Sequence, residues 1–203
     1  MTKIFLIRHG ETVWNVERII QGHLDSPLTE KGITQIEALA NHLKSQKFDA
    51  LYSSDLGRAY QTAKCISKTT GLSIVTDKRL RERNLGIFQG IAKKVLKTKF
   101  PEESRFYEAN DANYVIPEGE SIKQLSKRCI TYFEELLQKH AGQHILVTTH
   151  NGVLVTLLKH TMQLPLEVRP RFISKNSSIN VFTYENNTWL LERLGDLSHL
   201  QHD

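Results

Sequence analysis

The chain has 203 residues, 39% hydrophobic and 24% charged, with a formal net charge of +5. That is enough for one domain with a sizeable core, and the composition is that of an ordinary soluble globular protein. Two cysteines exclude a disulfide scaffold, and no stretch approaches the roughly 18 apolar residues of a membrane span.

There is no internal repeat, low-complexity tract or Pro/Gly/Ser linker, so the expectation is a single domain over 1–203. The opening apolar run is too short for the core of a signal peptide. Cys65 and Cys129 fall within helical patterns and read as free thiols, which suits a cytoplasmic protein with no membrane contact. The modest positive charge suits an anionic ligand.

Ile4-Phe5-Leu6-Ile7 is a short apolar run, read as a strand buried on both faces. It runs directly into Arg8 and His9. In an open parallel sheet the carboxyl ends of the strands are where ligands bind, and Gly10 is expected to turn the backbone away. Residues 14–28 form a polar, turn-rich segment. Thr29 then caps a helix whose apolar positions Ile33, Ile36, Leu39, Ala40 and Leu43 follow the helical period. Residues 49–53 read as a second strand. Asp55 is the expected N-cap of the next helix, with Ala59, Ala63 and Ile66 inward and Gly71 ending it. Arg58 therefore falls in a first helical turn, over the same sheet edge as Arg8.

Residues 73–76 predict a third strand, and 80–90 an irregular segment. Lys93, Lys94, Lys97 and Lys99 precede a loop-like aromatic stretch with Phe100, Phe106, Tyr107 and Tyr114. Interleaved basic and aromatic residues raise a nucleic-acid surface. Val95, Leu96 and Phe100 give the segment one apolar face, however, so the lysines read as its solvated side and no nucleic acid is expected. Ser121 with Gln124 forms a capping box opening a long helix, with Ile122, Leu125, Cys129, Ile130, Phe133, Leu136 and Leu137 buried. Residues 145–149 are another buried strand, ending at His150, and Gly152 begins a helix. Asn186-Asn187 marks a hairpin between 179–184 and 189–191. Strands alternating with helices predict the α/β class: a three-layer α/β/α sandwich with a mostly parallel mixed sheet.

Arg8, His9, Arg58 and His150 thus converge on one sheet edge. Two arginines repel a divalent cation, whereas a phosphoryl group accepts bidentate pairs from them. Three readings stand on these residues: phosphate-ester chemistry, a metal site using His9, His150 and a carboxylate, and structural histidines with surface arginines. Under the first, no Gly-rich nucleotide loop or carboxylate cluster for magnesium is present, so a side-chain nucleophile is attractive. Neutral His9 would attack phosphorus, with His150 donating to the phosphoryl oxygens. Glu82 would protonate the leaving oxygen, because a carboxyl beside a bound phosphate dianion is held protonated. Alternatively Glu82 is a surface glutamate paired with Arg81 or Arg83.

Leu6-Ile7-Arg8-His9-Gly10-Glu11-Thr12 resembles the signature of the histidine phosphatase superfamily, which includes the cofactor-dependent phosphoglycerate mutases. The likeness continues in order through Asn15, Gln21-Gly22, Asp25-Ser26-Pro27-Leu28-Thr29, Ser53-Ser54-Asp55-Leu56, Arg58-Ala59, Leu80-Arg81-Glu82, Gly119-Glu120-Ser121 and Thr149-His150. The resemblance implies that His9 is the phosphorylated nucleophile and that Arg8, Arg58 and His150 form the phosphate pocket. It implies Glu82 as acid and then base, with Asn15, Gln21 and Gly22 lining the site; Asn151, whose backbone N–H can donate to phosphate, is a further candidate for substrate binding. No metal or organic cofactor is implied, and the expected partner is a small phosphorylated metabolite, bound by a monomer or homodimer. Asn151 departs from the glycine common after the second histidine. Gln89 replaces a common glutamate and reads as structural.

The resembling mutases usually carry a longer segment after the acid, with adjacent arginines for the substrate carboxylate, and a tyrosine three positions after it. Here Leu85 holds the tyrosine position and no arginine pair separates Glu82 from His150. The expectation is a metal-independent phosphatase of small phosphomonoesters, with a helical or lid insertion at about 91–120 in which Phe106, Tyr107 and Tyr114 wall the leaving group or pack an inserted helix. The alternatives are a 2,3-bisphosphoglycerate-dependent phosphoglycerate mutase and a non-catalytic phosphate-binding protein.

Overall fold

The computed structural model describes residues 1–169, 171–172 and 174–200; the remaining five positions of the expected domain lie outside the described residues. In chain order the elements are β1 (Thr2–Arg8), α1 (Val13–Val16), α2 (Glu30–Leu43), β2 (Ala50–Ser53), α3 (Gly57–Thr70) and β3 (Ile74–Thr76). Then come α4 (Leu96–Lys99), α5 (Pro101–Ala109), α6 (Ile122–Lys139), β4 (His144–Thr149), α7 (Asn151–Thr161), β5 (Ile179–Glu185) and β6 (Thr188–Asp196).

The strands form one sheet in the order β3-β2-β4-β1-β5-β6. The first four pair in parallel and the β5–β6 hairpin is antiparallel, as the Asn186-Asn187 turn requires. Both turn residues have positive φ, 49° and 58°, the geometry whose twist matches a hairpin. β1 is hydrogen-bonded on both edges, by β4 and β5, and helices cover both of its faces. Ile4 and Leu6 pack under α6 and α7, while Phe5 and Ile7 pack on the opposite face under α2 and α3. That alternation from an unbroken apolar run generates the three layers.

Side-chain caps set several helix starts. Thr29 accepts from Gly32 N–H at 2.9 Å, and Ser121 and Gln124 form the reciprocal capping box of α6. α3 differs from expectation. Asp55 does not cap it, because both its oxygens are taken by Arg81. Asp25 supplies the cap from 32 residues upstream, accepting from Gly57 N–H at 2.7 Å. Gly10 also has another reason than a turn: a Cβ there would lie 2.7 Å from Ile36 Cγ2 and 3.0 Å from Gly32 O, so glycine lets α2 close onto the end of β1.

The segment between β3 and α4 is irregular apart from three single 3₁₀ turns, Lys78–Leu80, Gly86–Phe88 and Lys93–Val95. The aromatic stretch expected as loop is helical over Pro101–Ala109, with Pro101 at the first position and Glu102 and Glu103 in the first turn. Leu96 is buried, but Val95 is 40% exposed, so the apolar face there is narrower than the sequence suggests. Phe88, Ile20, Leu96 and Ile116 make a small separate core beneath this segment. Among the described residues no helix is long and apolar enough to cross a membrane.

Candidate active site

Strand register brings the first two site residues together. Arg8 of β1 lies opposite Thr149 of β4, and His9 N–H donates to the Thr149 carbonyl at 3.0 Å. The chain therefore leaves the two strands side by side, with the His9 and His150 rings 5.2 Å apart. β2 flanks β4, which places Ser54 Oγ 2.8 Å from His150 Nε2. Arg58 enters from the first turn of α3 and is 2% exposed. Its Nη1 donates to Leu24 O and Asp25 Oδ1, and its Nη2 to Gly22 O, each at 2.8 Å. The polar segment 21–25 is thus folded over Arg58 by Arg58 itself.

These bonds assign the imidazole protons. His9 Nδ1 lies 2.8 Å from Gly10 O, which only accepts, so the proton sits on Nδ1 and Nε2 carries a free lone pair. Ser54 Oγ has no other acceptor among the described residues, so its proton goes to His150 Nε2, which places the imidazole proton on Nδ1. Burial, reinforced by Arg58, holds both histidines well below their ordinary pKa, so both are neutral; Arg8 adds to the effect on each.

Arg8 Nε, Arg58 Nε and His150 Nδ1 are buried and have no hydrogen-bond partner among the described residues. Native interiors seldom leave such donors unsatisfied. Arg8 Nη1 is already held by the Ser174 carbonyl. Three unpartnered donors around a neutral imidazole suit an anion with several oxygens, and a phosphoryl group is one. Among the described residues no three of His, Cys, Asp and Glu stand together as metal ligands.

A cavity of about 390 Å³ opens above this edge. Arg8, His9, Asn15, Gln21, Gly22, Arg58, Glu82 and Asn151 all line it. His150 does not; it is fully buried behind His9. Glu82 reaches the cavity as an acceptor: its Oε1 takes Arg83 N–H at 2.8 Å and Gly152 N–H at 3.0 Å. Oε2 has only a longer contact to Gly152, at 3.2 Å, and is the freer oxygen. A Cβ on Gly152 would sit 2.1 Å from Glu82 Oε1, so any larger residue there would push the Glu82 carboxylate from this position. Of the three aromatics, Tyr107 lines the cavity, while Phe106 and Tyr114 stack on each other and do not. Gln89 accepts from His23 N–H at 2.6 Å, a structural contact.

Several residues escaped sequence reasoning. Asn176 donates to the His9 carbonyl at 2.9 Å and to Asn15 Oδ1 at 3.1 Å, tying the loop after β1 to α1. It lies in an unpatterned polar stretch that gave no signal. Gly152 was read only as a helix start. Asp25 and Ser54 stood in the resemblance without a role.

The model of the histidine phosphatase superfamily (branch 1) matches residues 4–197. "Phosphoglycerate mutase-like protein 4" of Arabidopsis thaliana is 39% identical, covering 98% of this chain and 87% of the relative. The solved Bacillus stearothermophilus YhfR superposes with a TM-score of 0.91 at 32% identity, covering 98% of this chain and 99% of its own. A mycobacterial glucosyl-3-phosphoglycerate phosphatase does so at 0.85 and 30%, covering 95% and 98%. Sequence, sheet order and the residues gathered at the sheet edge agree, and the chain belongs to the histidine phosphatase superfamily.

Proposed function

We propose that this protein is a metal-independent phosphatase of small phosphomonoesters, acting through a phosphohistidine on His9. The observation that carries the reading is the set of buried, unpartnered donors, Arg8 Nε, Arg58 Nε and His150 Nδ1, around a neutral imidazole. His9 Nε2 attacks phosphorus; the phosphorus–oxygen bond to the alcohol breaks, and the departing oxygen takes the proton of Glu82. Water then attacks the phosphohistidine while Glu82, now a carboxylate, takes its proton. Phosphate leaves and His9 is restored. Asn15, Gln21, Gly22 and Asn151 border the phosphate and the alcohol. The segment 91–120 is a lid insertion, with Tyr107 its contact to the cavity.

The mutase reading draws support from the name of the Arabidopsis relative. Against it stand Leu85 in the tyrosine position and the missing arginine pair. One experiment addresses both readings. Phosphate trapped on the wild-type protein should be acid-labile and alkali-stable, and should pass to water rather than to added phosphoglycerate. His9→Ala should trap none and lose turnover by about 10³-fold or more. Appreciable turnover by folded His9→Ala protein would defeat the covalent mechanism, and preferential transfer to phosphoglycerate would favour the mutase.

A further inference from the structure

Residues 174–178, just before β5, clasp the chain on both sides of His9. The Ser174 carbonyl accepts from Arg8 Nη1, and Ser177 N–H is shared between the carbonyls of Arg8 at 3.0 Å and His9 at 3.2 Å. The Ser177 contact is made from an unfavourable backbone. Its φ is 60°, left-handed for a residue with a Cβ, and its buried Oγ has no partner among the described residues. Strain of this kind persists only where the surroundings enforce it, and it gathers at functional sites.

The neighbouring Asn176 side chain completes the clasp. Its Nδ2 lies 2.9 Å from His9 O, 3.3 Å from Gly10 O and 3.1 Å from Asn15 Oδ1. Backbone carbonyls only accept, so the nitrogen of this amide, and not its oxygen, must face them. Gly10 O is also the acceptor of His9 Nδ1–H at 2.8 Å, so Asn176 holds the group that orients the imidazole. The Asn15 amide is set at the same time. Its Oδ1 accepts from Thr12 N–H at 3.1 Å as well as from Asn176. Asn15 lines the cavity and its Nδ2 has no acceptor among the described residues, so the donor end is the one left for a ligand.

Resting on the phosphatase reading, we propose that Asn176 is a positioning residue for both His9 and Asn15. By holding Gly10 O against Nδ1–H it keeps the lone pair on His9 Nε2 for phosphorus. By occupying Asn15 Oδ1 it turns the donor end of that amide to the phosphoryl oxygens. Asn176 is not among the residues lining the cavity and acts only through these two neighbours.

The test uses Asn176→Ala and Asn176→Asp, the second having the same shape but no donor for the three acceptors. Nitrogen NMR of the His9 ring in the unliganded protein should show the Nδ1–H tautomer in wild type and a mixture of tautomers in both variants. Single-turnover phosphorylation of His9 by 4-nitrophenyl phosphate should slow by about 10–100-fold, the effect of a small misplacement of a reacting group. Inorganic phosphate should bind about tenfold more weakly to Asn176→Asp, because Asn15 then turns its donor end to the new carboxylate and its oxygen to the phosphate. Folded variants that keep both the wild-type tautomer and the wild-type phosphate affinity would overturn the proposal. If Asn176→Ala does not fold, Asn176→Ser, which keeps one donor, carries the same measurements. A wild-type protein that forms no phosphohistidine would count against the phosphatase reading alone, since tautomer and phosphate affinity are read without turnover.

Discussion

At the scale of single residues, the site is built by making charge expensive on two histidines. His9 and His150 are desolvated and face Arg58 and Arg8, so both stay neutral in the folded protein. In the unfolded chain each takes a proton below about pH 6.5. Their neutrality thus contributes stability that is fully present above about pH 6.5 and is lost as the pH falls toward the depressed folded values. The urea midpoint in phosphate-free buffer should therefore drop between about pH 7.5 and 5.5. His150→Gln, with no proton to take up, should drop less. Equal drops for the two proteins would show that His150 is not among the titrating groups.

At the scale of elements, the segment carrying Glu82 has little regular structure and is held from outside. Arg128 of α6 donates to the carbonyls of Arg79, Arg81 and Glu82 at 2.8, 3.0 and 2.9 Å. It also forms a bidentate pair with Glu120, whose carboxylate accepts from Asn84 N–H at 2.8 Å. One guanidinium therefore replaces the ladder that a strand or helix would have provided. Arg128→Met should destabilise the protein by about 1.5–3 kcal/mol in chemical denaturation, the range for hydrogen bonds to a charged group. Because Glu82 would lose one anchor, kcat should fall with little change in KM; unchanged kcat would show that His23 and Gly152 position the acid sufficiently by themselves.

At the scale of the whole molecule, the net charge of +5 is concentrated usefully, with Arg8, Arg58, Arg83, Lys93, Lys159 and Arg169 all around one cavity. Such a field draws a dianion in and is screened by salt. For a dianionic phosphoester, kcat/KM should fall about tenfold as ionic strength rises from about 10 to 500 mM. A flat profile would mean that the cations act only after contact.

Local pattern and chemistry were sufficient for much of this. The apolar run 4–7 ending in Arg8-His9 announced a buried strand opening onto a site, and the Ser121–Gln124 box and the Asn186-Asn187 turn marked element ends, because each depends on neighbours within a few residues. The order of motifs along the chain was enough to name the family. What lay beyond reach rests on pairs distant in sequence. That Asp25 rather than Asp55 caps α3 depends on where the 21–25 segment folds, and that Asn176 holds the loop after His9 depends on β5 returning beside β1. Likewise Gly152 matters to the site because Glu82, 70 residues earlier, arrives against its N–H, and Lys159 belongs to the cavity only because α7 lies along its wall. Sequence periodicity reports which face of an element is buried; which other element fills that face is decided by sheet order and close packing.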